Sequence, residues 1–123
     1  MIPKQIIIHH TASNRDLTTI ENLEAWHKLR WPGFISFLKY HIGYHWVIAG
    51  DGTVKQTRKN NELGAHTIPN DGKIGIALTG NFDLENPSPL QLSALHTLLI
   101  KLKIGYGIDD INIFGHKEKS ATA

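Results

Sequence analysis

The run from Lys73 to Thr79 constrains the fold more than any other part of the chain. Ile74, Ile76, Ala77 and Leu78 make it almost continuously apolar, and a strand of that kind is covered on both faces. It predicts a layered α/β arrangement in which helices cover a central sheet. Gln5 to His9 reads as a second buried strand, β-branched throughout Ile6-Ile7-Ile8. Gly43 to Ala49 and Thr53 to Arg58 read as an antiparallel pair about the turn Gly50-Asp51-Gly52, where glycine supplies the positive φ a tight hairpin needs. Ile111 to Phe114 makes a last strand that delivers His116 just past Gly115.

Two helices complete the layers. Thr18 opens the first, with Glu21 three residues on as in a capping box and Ile20, Leu23, Trp26 and His27 at near-helical spacing. It is expected to run to about Leu29, with Pro32-Gly33 as its stop. Ser88-Pro89-Leu90-Gln91 joins an N-cap serine, a first-turn proline and a box-closing glutamine. Leu92, Leu95, Leu99 and Leu102 form the apolar stripe of that second helix, and Gly105 and Gly107 end it. Between them, Pro32 to His41 reads as an apolar loop or a short helix. Its Phe34 to Tyr40 part either walls a groove or caps the core. The expected architecture is a single-domain α/β fold: a mixed central sheet from strands near residues 5, 43, 53, 73 and 111, flanked by helices near 19–29 and 89–104. Spacing does not give the strand order.

At 123 residues the chain is one ordinary domain, large enough for a core without disulfide or metal staples. With 41% hydrophobic and 20% charged residues it is globular in composition, and no apolar run approaches the roughly 20 residues of a membrane span. The net charge is +2, with Lys and Arg spread rather than gathered, which argues against a nucleic-acid partner. The absence of cysteine removes thiolate catalysis and disulfides from these residues. Met1-Ile2-Pro3-Lys4 lacks the features of a secretory signal. The expected route is synthesis in the cytoplasm followed by release or export.

The chain has 8 histidines, and histidine is the commonest side chain to bind metals or move protons near neutral pH. His9 and His116 each follow an aliphatic strand, where rigid backbone can hold a ligand in place. His9 and His10 point to opposite faces by alternation, so only one of them joins a given site. Spacing alone leaves a metal pair and two packed or surface histidines equally open. On strand composition alone Tyr44 is an ordinary aromatic of a half-buried strand. In the same strand, Trp46 is expected to share the face of Tyr44, and His45 to be buried and hydrogen-bonded on the other. His27, His41 and His96 look like surface positions. Lys55, Arg58 and Lys59 read as a solvated basic face, or as a partner for carboxylates. No serine nucleophile is apparent, and the carboxylates form no obvious pair for glycoside hydrolysis.

Several blocks, taken in order, carry a resemblance: Ile6-Ile7-Ile8-His9-His10-Thr11-Ala12, Gly43-Tyr44-His45-Trp46-Val47-Ile48, Asp51-Gly52-Thr53-Val54, Gly64-Ala65-His66-Thr67, Ile74-Gly75-Ile76-Ala77-Leu78, Gly80-Asn81-Phe82 and Gly115-His116-Lys117-Glu118. Together they resemble the type 2 N-acetylmuramoyl-L-alanine amidases, a family that also takes in the peptidoglycan recognition proteins. The likeness spans most of the chain. It implies a compact α/β fold with a groove at the sheet's edge and zinc held by His9 and His116. It also implies Tyr44 beside the metal, Thr122 aimed at the oxyanion, and His66 on the rim facing substrate. The family's third ligand, usually a cysteine followed by proline, falls directly after Ala123. Residues 1–123 are therefore expected to be an amidase domain cut just before that ligand, binding zinc loosely and weakly active.

What the resemblance implies is hydrolysis of the amide between N-acetylmuramic acid and L-alanine, by a monomer acting on peptidoglycan or muropeptide at the cell wall. The rival expectation is a peptidoglycan-binding module without catalysis. A metal nuclease has little behind it, since neither an Asn-His helix signature nor a dense basic patch is present.

Overall fold

The computed structural model describes residues 1–115, so His116 and Thr122 lie outside the described residues. In chain order the elements are β1 (Gln5–His10), α1 (Ile20–Arg30), β2 (Trp46–Ile48), β3 (Val54–Gln56), β4 (Lys73–Leu78), α2 (Pro89–Tyr106), a short 3-10 helix (Asp110–Asn112) and β5 (Ile113–Gly115). They form a 5-stranded mixed sheet in the order β3-β2-β4-β1-β5. Among the described residues only the β2–β3 hairpin is antiparallel; β2–β4, β1–β4 and β1–β5 are parallel. The expected α/β architecture is what the chain adopts.

β4 is buried at every position, as its apolar run requires, and it lies at the centre between β1 and β2. Its two faces differ. Ile74, Ile76 and Leu78 join Ile6, Ile48, Leu98, Leu102 and Ile108 in the main core beneath α2. The alternate positions Gly75 and Ala77 pair with Ile7 and His9 of β1 and present almost no side chain. A second, smaller core of Leu23, Ile42 and Val47, with Ile20, Tyr40 and Tyr44 against it, sits under α1. The sheet is thus thick with aliphatic side chains on one face and pared back on the other, where imidazoles take up the space.

The helix ends follow local chemistry, with corrections. Ser88 and Gln91 close the expected box on α2, the Gln91 N–H donating to Ser88 Oγ at 3.0 Å and the Ser88 N–H to Gln91 Oε1 at 2.9 Å. On α1 the cap is Thr19 rather than Thr18, and Asn22 rather than Glu21 closes the box. The amide of Asn22 does what a glutamate at that turn would do, and Thr18 Oγ1 donates instead to Ser13 Oγ at 2.8 Å. Gly105 lies inside α2 instead of ending it. Gly107, at φ +65°, makes the left-handed stop. The buried stripe of α2 is Gln91, Leu98 and Leu102, with Leu95 and Leu99 partly buried against the core, whereas Leu92 is 52% exposed. Residues 32–41 form turns rather than a helix, and Tyr40 packs on the smaller core.

Candidate functional site

His9 sits one residue from the carboxyl end of β1, in register with Ala77 of β4. Alternation along β1 sends His10 to the α2 side, where its Nδ1 accepts the Phe82 N–H at 2.8 Å and its ring lies 5.7 Å from that of Phe82. His9 points the other way and is only 6% exposed. Its ring centroid is 5.3 Å from Tyr44 and 5.0 Å from His66. His9 Nε2 and His66 Nδ1 stand 2.8 Å apart.

His66 is brought there by its loop. The Asn70 carboxamide accepts the N–H groups of His66 and Thr67 at 2.9 and 3.0 Å, holding the turn. The ring then lies over β4, where a Cβ on Gly75 would come within 2.7 Å of it, and beside Gly64, where a Cβ would come within 2.6 Å. Its Nε2–H donates to the Lys73 carbonyl at 3.2 Å. His45 stacks edge-on at 5.5 Å. His45 itself is fully buried, donating from Nε2 to the Glu62 carbonyl at 2.7 Å and accepting the Gly75 N–H at Nδ1 at 2.9 Å. Burial brings its pKa down to about 4, outweighing the bond to Glu62, which works in the opposite sense. The expected buried, bonded histidine is found.

The expected strand over Gly43 to Ala49 starts only at Trp46, because the backbone bends through Gly43, Tyr44 and His45. The bend overturns the expectation that Tyr44 and Trp46 share a face: Tyr44 packs on the α1 side and Trp46 against the main core. Gly43 lies so close to Ala65 that a Cβ would meet its carbonyl oxygen at 2.2 Å, and its N–H donates to His27 Nδ1 at 2.8 Å. Burial pushes the Tyr44 phenol up, against a smaller opposing effect of Arg30, so the phenol is a neutral hydrogen-bonding group.

Three positions read as surface are not. His27 is half-buried, its ring 5.4 Å from Tyr44 and 5.1 Å from Trp31. Burial first, and Arg30 second, lower its pKa to about 4. His41 is buried, with Nδ1 2.6 Å from Glu24 Oε2 and Nε2 3.1 Å from the Pro32 carbonyl. Arg58 is 2% exposed, donating to the carbonyls of Ile42 and Phe34 at 2.8 Å each and stacking on the Phe34 ring at 4.1 Å. Such a guanidinium is structural rather than part of a solvated basic face. The one available hint was the glycine within the apolar run at Gly75, which marks a close approach. Nothing local in the sequence distinguished His27, His41 or Arg58.

The described part of the site therefore brings His9, Tyr44 and His66 together. Among the described residues no group of three or more His, Cys, Asp or Glu is placed to hold a metal ion. His9 nevertheless fits zinc as one ligand of a set, since a neutral imidazole on a rigid strand is a preferred donor for that ion. A cavity of about 400 Å³ lined by Trp46, Asp51, Gly52, Leu90 and Lys101 opens beside α2, on the side to which Trp46 and not His9 points, and lacks convergent imidazoles.

A model of the family described as N-acetylmuramoyl-L-alanine amidase matches residues 1–123. Peptidoglycan-recognition protein SC1a/b of Drosophila simulans is 34% identical over 131 aligned residues, covering 94% of this chain and 64% of that protein. The chain thus spans less than two thirds of that relative. The endolysin of Klebsiella phage KP32 is 32% identical, with 83% of this chain and 68% of that one covered. Among solved structures, the N-acetylmuramoyl-L-alanine amidase LysC from Clostridium intestinale URNW superposes with a TM-score of 0.82 at 33% identity, covering 98% of this chain and 74% of that one. With the family matched over the whole length and the fold shared, the chain belongs to the type 2 N-acetylmuramoyl-L-alanine amidase family.

Proposed function

We propose that this chain is the amidase domain of a zinc-dependent peptidoglycan hydrolase that cleaves the amide between N-acetylmuramic acid and L-alanine. The observation that carries the reading is the convergence of His9, Tyr44 and His66 on the pared-back face of the sheet. In this reading His9 and His116 hold zinc as two ligands of the set. When bound, zinc supplies Lewis acidity toward the scissile carbonyl and makes water a nucleophile near neutral pH.

The chain's own groups do the rest. Tyr44, neutral at its Oη, accepts a hydrogen bond from the attacking water, hands its phenolic proton to the departing amine and takes up the proton that the water gives up, so that it ends neutral. Thr122 donates a hydrogen bond to the oxyanion. His66 borders the substrate. Water adds to the carbonyl carbon, the C–N bond breaks, and the products are a lactyl carboxylate and a free L-alanine amino terminus. The protein acts as a monomer on peptidoglycan or muropeptide, made in the cytoplasm and reaching the wall after release or export.

Labelling of new amino termini in purified peptidoglycan, with zinc and after chelation, tests the proposal. Zinc-dependent release of L-alanine amino termini that His9→Ala abolishes is the expected result. Co-sedimentation with walls and no release under either condition would instead make the chain a binding module.

A further inference from the structure

Two imidazole nitrogens facing each other at 2.8 Å share one proton, and the surroundings decide which ring carries it. His66 Nε2 faces the Lys73 carbonyl at 3.2 Å, and a carbonyl only accepts, so that nitrogen bears hydrogen. In a neutral His66 the other nitrogen, Nδ1, is then an acceptor. His9 Nε2, 2.8 Å away, is the donor. The neutral His9 ring is thereby left with its lone pair on Nδ1. From a backbone carbonyl of β4, two rings in series dictate the tautomer of the proposed ligand.

The arrangement is built into the sheet. Gly75 occupies the middle of the fully buried β4, where glycine has no packing value and weakens a strand. A Cβ there would stand 2.7 Å from both Cγ and Nδ1 of His66, so the missing side chain is what admits the ring. Gly64 makes the same room at the Cδ2 edge, 2.6 Å from a would-be Cβ. Asn70 fixes the backbone of His66 from outside.

We infer that His66 is a positioning residue: its Nδ1 accepts the Nε2 proton of His9 and so presents His9 Nδ1 as the nitrogen that takes the metal. The inference rests on the zinc reading given above and specifies which atom of His9 serves it. Tying down the distal nitrogen of a ligating histidine sets both ring orientation and basicity, and losing that partner typically costs 10–100-fold in metal affinity.

The test has two arms. In the metal-free protein, 15N shifts of the histidine rings are expected to show hydrogen on Nε2 of both His9 and His66. This needs no variant and no catalysis. In the second arm, zinc chloride is titrated against the full chain. His66→Leu should weaken binding roughly 10–100-fold, and His66→Asn, whose Oδ1 can accept in place of Nδ1, should recover part of the loss. A proton on His9 Nδ1 overturns the inference, as does a His66→Leu affinity within about two-fold of the parent, and either leaves the zinc reading standing if His9→Ala still abolishes binding. Zinc binding untouched by His9→Ala overturns both.

Discussion

Gly75 and His66 fit together as slot and ring: the histidine lies over the one position of β4 where any Cβ would press to 2.7 Å of its Cγ and Nδ1. Gly75→Ala is therefore expected to destabilise the fold by roughly 1–3 kcal/mol, the usual cost of overpacking a buried site. It should also push the ring from His9. Urea denaturation reads the first effect and the 15N spectrum of His9 the second. A variant as stable as the parent with an unchanged spectrum would refute the slot.

Stability should fall as pH is lowered from about 6.5 toward about 4. His27 and His45 are held neutral in the fold, with pKa values lowered to about 4 from 6.5. In that window the unfolded chain binds protons that the native state does not, so unfolding is favoured as pH drops, and the slope flattens once both states are charged. The loss is at most about 3 kcal/mol per ring. Denaturation at a series of pH values, repeated for His45→Gln, should show a shallower dependence in the variant.

Arg58 ties two loop carbonyls, Ile42 and Phe34, to the end of the β3 hairpin strand. Arg58→Met keeps bulk but leaves both acceptors without their donor, which is expected to cost roughly 2–4 kcal/mol. Arg58→Lys should not rescue it fully, because one ammonium cannot reproduce the planar fork over the Phe34 ring. Thermal melts of the two variants decide this.

Tyr44→Phe removes the phenol while keeping the ring that packs between His9 and His27. Release of L-alanine amino termini should drop by roughly 10²–10⁴-fold, the range for one proton-transfer group, with zinc affinity nearly unchanged. Equal release by the variant would remove Tyr44 from the chemistry.

Much of the framework is legible in short windows of sequence. Ser88, Pro89 and Gln91 declare the start of α2, and Gly52, at φ +87°, marks the hairpin turn. The opposition of His9 and His10 follows from the pleat of one strand, and the central place of Lys73–Leu78 from its unbroken apolarity. These depend on neighbours a few residues apart, so their physics is local. The strand order, the burial of His27, His41 and Arg58, and the bend that carries Tyr44 away from the face of Trp46 depend on contacts between distant segments. So does the meeting of His9 with His66, 57 residues along the chain. Each of these is decided by which segment fills the space left by another, such as the imidazole over Gly75, and that competition for volume exists only once the sheet has assembled.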